Sequence, residues 1–220
     1  MKKLALVTVM MGMLSAMVAV SAHAVDFSDI TTWVGSGSNQ AGLIVDWNGD
    51  GLLPQYQVWG YKWDGAASGE DMLKAVAAAD SRFYAVIETD PTYGDYVFGL
   101  GYDVMNDGSG FVSTTPGDET GHANNPGNHY CEGWYNNGYW SYWGKDTTDS
   151  DWNWPGAGMG SRTLANGCWD AWTFGYASNE WTAPEPLSDF IPAAVPEPTS
   201  LIALAGGLVS LAGLALRKRK

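Results

Sequence analysis

The sequence predicts an α+β fold that is mostly β: a single antiparallel β-rich ectodomain with one capped helix at about 69–80, plus a C-terminal transmembrane helix. Three observations predict it. Short aromatic and β-branched runs recur between Gly- and Asn-rich turns, the pattern of short strands. One segment alone combines a capping signal with helical periodicity. An uncharged run from Leu201 to Leu216 ends in the cations Arg217, Lys218, Arg219 and Lys220.

In chain order, residues 43–45 and 57–63 read as two strands, with Trp59, Tyr61 and Trp63 on one face of the second and Val58 and Lys62 on the other. Asn48-Gly49-Asp50-Gly51 is the turn that joins them as a hairpin. The helix follows. Ser68 caps it, Asp71 completes the capping box, and Met72, Leu73, Val76 and Ala79 form its apolar stripe. Further strands are expected at 83–88, 96–103, 133–135, 139–143 and 169–176. Residues 106–128, full of Gly, Asn, Pro, Thr and Asp, read as a long loop.

Charge excludes some functions. Between residues 25 and 194 there are five cations against 23 carboxylates, a net −18. Such a body repels phosphate backbones and anionic lipid, so nucleic acid is not a partner. All 29 aromatic residues also lie there, enough apolar area to offset the entropy of ordering one domain.

The ends carry an address. Lys2 and Lys3 precede an uncharged run to Val20 and the small-residue site Ala22-His23-Ala24, so 1–24 reads as a signal peptide and the mature chain begins at Val25. An uncleaved membrane helix is the alternative for the same run. The ectodomain occupies 25–181, and 182–198 is a Pro-rich stalk. Residues 199–220 form the membrane helix and basic tail. Sixteen to 18 helical residues span roughly 24–27 Å, enough for a thin bilayer through 201–216. The terminal cations stay cytoplasmic, and the acidic body faces outward.

Val195, Pro196, Glu197 and Pro198, followed at once by an apolar helix and a basic cluster, resemble the PEP-CTERM sorting signal of Gram-negative bacteria. The resemblance covers roughly 195–220. It implies export, a membrane-anchored precursor, processing by signal peptidase and exosortase, and delivery to the cell surface or to exopolysaccharide in the matrix. It implies no activity for the body.

Several constellations in the body have chemical readings. Cys131 and Cys168, the only cysteines, are expected as a disulfide in an oxidising compartment, closing a loop worth about 3–4 kcal/mol in the chain-entropy model. A metal site with His122 and His129 is the sharper alternative, but the spacing lacks paired ligands. Asp46, Asn48 and Asp50 match the opening of a calcium loop, making calcium the one ion the sequence suggests; no other cofactor is called for. Gln57 stands where a bidentate Glu belongs, and an Asx-rich turn explains the same letters. Glu70, Glu88, Glu119 and Glu132 are available to a glycan-active enzyme, yet none stands in a motif, and no G-x-S-x-G occurs. The expectation is no catalysis.

Aromatic crowding is the strongest signal in the body. Most of the rings between Trp134 and Tyr176 suit a core. Neighbouring strand residues point opposite ways, however, so Trp140 and Trp143, or Trp169 and Trp172, cannot share one interior. Trp134, Trp140, Trp143, Trp152 and Trp154 are therefore candidates for an outward platform, where flat rings stack on sugars beside Asn and Asp. Gly133 to Gly138, Leu164 to Gly167 and Trp169 to Phe174 also resemble the transcobalamin-like C-terminal domain. That resemblance implies a corrinoid-contacting edge near Trp134, Tyr135 and Asn137. The reading is a surface-sorted protein with a binding or structural role, associated with exopolysaccharide; small-cofactor binding and glycan chemistry are the alternatives.

Overall fold

Alternation along the first hairpin sets the architecture. In β2 (Asn39–Asp46), Ala41, Leu43 and Val45 point to one side of the sheet and Ile44 to the other. Antiparallel to it runs β3 (Tyr56–Trp63), whose Trp59 and Trp63 join the first side and whose Val58 joins the second. This computed structural model describes residues 25–176 apart from 49, 93, 135–137, 149 and 157. The leader, the stalk, the sorting residues 195–198, the transmembrane run and the cations 217–220 lie outside the described residues. The unit described belongs to Ala24–Phe190. Among the described residues no helix is long and apolar enough to cross a membrane.

Three more strands complete the first sheet. β1 (Trp33–Gly35) runs parallel to β3, β10 (Trp169–Tyr176) parallel to β2, and β9 (Gly138–Lys145) antiparallel to β10. The order is β1-β3-β2-β10-β9. The sheet is therefore mixed, which corrects the antiparallel expectation. Alternation reveals which residues face a core, but it does not reveal the direction of a partner far along the chain.

A second sheet, antiparallel and ordered β4-β5-β8, contains β4 (Phe83–Asp90), β5 (Gly94–Tyr102) and β8 (His129–Glu132). The strand expected at 133–135 is displaced, since β8 ends at Glu132. The expected loop at 106–128 carries a two-stranded ribbon of β6 (Phe111–Val112) and β7 (His122–Ala123).

The helix forms as its caps dictate. In α1 (Gly69–Ala79), the Asp71 amide donates to Ser68 Oγ at 3.1 Å, and the Ser68 amide donates back to the Asp71 carboxylate at 2.8 Å. Met72, Leu73 and Val76 are buried, but Ala79, in the last turn, is exposed and lies off the stripe.

Two cores flank the first sheet. One fills the space between that sheet and α1 with the second sheet, and holds Trp47, Trp59, Trp63, Met72, Leu73, Leu100, Trp140 and Trp172. The opposite face is closed by the segment entering the domain. A 3₁₀ turn at Phe27–Asp29, capped by Asp26, brings Val25, Phe27, Ile30 and Trp33 over Ile44, Trp143, Trp169 and Ala171. Each large apolar side chain so buried contributes about 1.5–3 kcal/mol of transfer free energy. Two glycines make the second layer thin enough: Trp33 lies across Gly60 and Trp169 across Gly42, and a Cβ at either glycine would enter the indole ring.

Candidate functional site

β9 is an edge of the first sheet, and its outer side is only partly covered. Gly144 exchanges both main-chain hydrogen bonds with Asn153, each at 2.9 Å. Ahead of Gly144, residues 139–143 all line a cleft of about 860 Å³. Consecutive side chains on a strand point to opposite faces, so five in a row meet one cleft only along the strand's edge. One wall is the tip of the β4–β5 hairpin, with Thr92, Asp95 and Tyr96; the other is the segment carrying Trp154, Met159 and Ser161.

Below the cleft lies a buried polar network. Tyr142 stacks on Trp172 at 4.6 Å, and its hydroxyl donates to one oxygen of Asp170. The other oxygen of Asp170 accepts from Arg162 Nε at 2.6 Å. Burial pushes the Asp170 carboxyl up, against the opposing pull of the Arg162 cation. Burial and the Asp170 charge also push the Tyr142 phenol far above its ordinary value, so it remains a donor. A Cβ on Gly69 would strike both Tyr142 and Asp170, so glycine lets the start of α1 sit against this pair. At the rim, the hydrogen bond from Thr89 Oγ1, 2.7 Å long, holds the Asp95 carboxyl below its ordinary range despite slight burial.

The five tryptophans of the expected platform do not share a surface. Trp140 is buried in the first core, with Nε1 donating to the Cys131 carbonyl at 3.1 Å. Trp143 is buried in the second, with Nε1 donating to Ser141 Oγ at 3.1 Å. Trp134 is half-buried against Tyr96, and Trp152 is half-buried beneath Lys145 Nζ. Only Trp154 stands out, at 75% exposure. Alternation does separate Trp140 from Trp143 and Trp169 from Trp172, but the opposite face is a second core rather than solvent. Trp140, Trp143 and Trp154 still meet along the cleft. Tyr96 and Asp95, which complete it, sit at a hairpin tip that carries no local signal of the neighbour it meets. Tyr135 and Asn137 lie outside the described residues.

The calcium-loop oxygens serve their own turn. Asp46 Oδ1 accepts from the Asn48 amide at 2.8 Å, and Asp50 Oδ1 from the Leu52 amide at 2.9 Å. Asn48 Nδ2 donates to the Phe174 carbonyl at 2.8 Å, and Asp50 Oδ2 meets His129 Nδ1 at 2.6 Å, tying the turn to β10 and β8. Among the described residues, no group of three or more His, Cys, Asp or Glu is placed to hold a metal ion. His129 stacks parallel to Trp47 at 4.7 Å, and its Nε2 makes no hydrogen bond. His122 lies on β7 in the small ribbon.

Two of the four candidate glutamates come together: Glu119 and Glu132 line one cavity of about 310 Å³ with Asp50. Glu70 pairs with Lys74 on α1, and Glu88 lies on β4. Glu119 is buried, accepting from the Trp134 amide at 3.0 Å. Glu132 works as a clamp: it accepts from Tyr130 Oη at 2.6 Å, the Gly121 amide at 2.6 Å, the Thr114 amide and Ser113 Oγ at 3.1 Å each, and Thr114 Oγ1. Burial opposes its charge, but these donors outweigh burial and hold the carboxyl below its ordinary value.

The expected disulfide is absent: Cys131 and Cys168 are both buried and are not joined to each other. Cys131 pairs with Leu100 in the second sheet, whereas Cys168 leads into β10 of the first, its carbonyl accepting from the Gly42 amide. Compartment argued for a bond, but the fold delivers Cys131 to the second sheet and Cys168 to the first. Burial pushes the Cys168 thiol up to about 11. In the native protein, mass mapping should find no linked peptide pair, and alkylation of Cys168 should require unfolding. A linked pair in exported protein would refute this placement.

No curated protein and no solved structure matches the chain. A family model for the PEP-CTERM protein-sorting motif matches residues 194–220. That match contains Pro196-Glu197-Pro198, the apolar run and the closing cations, the three features that mark an exosortase substrate. The chain carries this motif behind an acidic, aromatic-rich β domain, and the motif marks it as an exported, surface-sorted exosortase substrate.

Proposed function

We propose that the ectodomain is a non-catalytic binding module of the cell surface or extracellular matrix, and that it holds exopolysaccharide in the cleft beside β9. The observation carrying this reading is the cleft itself. Its volume of about 860 Å³ lies within the range of small-molecule sites, and it joins aromatic faces to polar groups. Trp154, Tyr96 and Tyr139 offer apolar surface; Thr92, Asp95 and Ser161 offer hydrogen bonds. Glu119 and Glu132 line one cavity apart from this cleft, and both carboxylates are engaged by hydrogen bonds there; this supports a role without glycoside chemistry, which needs two carboxyls acting across one sugar. Delivery to the surface places the cleft among matrix polymers.

Trp154→Ala tests the reading. At 75% exposure the ring contributes little to the fold, so stability should stay within about 0.5 kcal/mol while affinity for matrix glycan falls. Unchanged glycan affinity in a folded Trp154→Ala protein would move binding away from the cleft.

A further inference from the structure

The edge of β9 has a hydrogen-bonding phase that Gly144 fixes. Because both main-chain groups of Gly144 point outward to Asn153, alternation along the strand points those of Tyr142 and Trp140 outward as well. Ser141 and Trp143 instead bond inward to β10, opposite Thr173 and Ala171. Two N–H donors and two carbonyl acceptors thus open into the cleft, the two residues about 6.6 Å apart along the strand. Among the described residues no other element takes these four groups, so they pair with whatever fills the cleft, water or a ligand.

Charge narrows what can bind there. Among the described residues lining the cleft, Asp95 is the only charged side chain, and no Lys, Arg or His is present. The surrounding body carries a net −18 between residues 25 and 194. A carboxylate or sulfate only accepts hydrogen bonds, so it would face the two carbonyls and Asp95, and the cation nearest Asp95, Lys74 at 3.8 Å, is already shared with Glu70. A hydroxyl both donates and accepts, and so pairs with either kind of edge group. We infer that the cleft takes an uncharged polysaccharide, held through its hydroxyls by the main-chain edge of Trp140 and Tyr142, and turns away uronate and sulfated polymers. This inference rests on the glycan reading above and names the class of glycan.

Hydrogen exchange and titration on the full-length protein test it with two probes, a neutral β-glucan oligosaccharide and an oligouronate. The neutral probe should bind with an affinity indifferent to salt and slow exchange of the Trp140 and Tyr142 amides about tenfold or more, leaving Ser141 and Trp143 slow throughout. The oligouronate should not bind at low salt, where repulsion is least screened. Asp95→Asn should narrow the gap between the probes. If the oligouronate binds as tightly as the glucan, or if glucan binds without protecting the two amides, the inference is overturned while the cleft reading stands. Binding of neither probe, with every other glycan also failing, overturns the cleft reading itself.

Discussion

Arg162→Met should lower the unfolding free energy by about 3–5 kcal/mol, the cost of leaving a buried charge without its partner. Asp170 is wholly buried, and among the described residues Arg162 Nε at 2.6 Å supplies its cationic hydrogen bond. Tyr142 remains as a donor but brings no charge. The deficit should depend on pH with a definite sign. Burial already raises the Asp170 carboxyl above 3.8, and loss of Arg162 would raise it further. A group with a raised folded value favours the native state when protonated and loses that advantage as pH climbs. The variant should therefore be least impaired below about pH 4 and increasingly impaired toward neutrality. Urea titrations at several pH values check this. A double variant, Arg162→Met with Asp170→Leu, should lose less than the sum of the single changes, because no orphan charge remains. Equal deficits at acidic and neutral pH would show that Arg162 acts through packing alone.

Glu132→Gln should cost about 3 kcal/mol, the scale of one or two hydrogen bonds to a charged group. Five donors converge on the carboxylate, and an amide would turn an N–H toward some of them. The pH sign is opposite to that of Asp170. The lowered Glu132 value means its contribution is complete above about pH 4.5 and is lost as acid titrates the group. Acid unfolding of the wild type should be steeper than that of the variant, and the two curves should converge at low pH. Because Ser113, Thr114 and Gly121 hang on this clamp, exchange protection around the small ribbon should fall first. Parallel acid curves would assign the loss to something other than the Glu132 charge.

How far the sequence could be read follows from the range of each signal. The capping box of Ser68 and Asp71 closes within three residues, so the helix was legible in both position and cap. The first hairpin was legible because its alternation is local; β2 and β3 extend only one to four residues beyond the expected limits. The parallel pairing of Trp33 with Gly60 was not, since three residues of strand hold no clue to a partner across a hairpin. The tryptophans show the same boundary. Alternation correctly put Trp140 and Trp143 on opposite faces, yet whether a face meets water depends on what folds over it. Here Val25, Phe27 and Ile30 do so, and nothing near Trp143 in sequence announces them. The cleft was partly legible through Trp140, Trp143 and Trp154. Its depth comes from Asp95 and Tyr96, which a different sheet delivers.

β10, an inner strand of the first sheet, is the last strand among the described residues. A polypeptide threaded through a membrane from its beginning presents β2 and β3 early, but β2 keeps a bare flank until residues 169–176 emerge. Trp169, Trp172 and Phe174 are missing from both cores until then. Closing so long a loop comes before the contacts that reward it, so the domain cannot complete itself piecemeal during passage. An exported chain benefits from that delay, because it stays pliable while it is being translocated. The same delay leaves β2 as an open apolar edge in every partly delivered molecule, the point at which a stalled chain would pair with a neighbour instead of with itself.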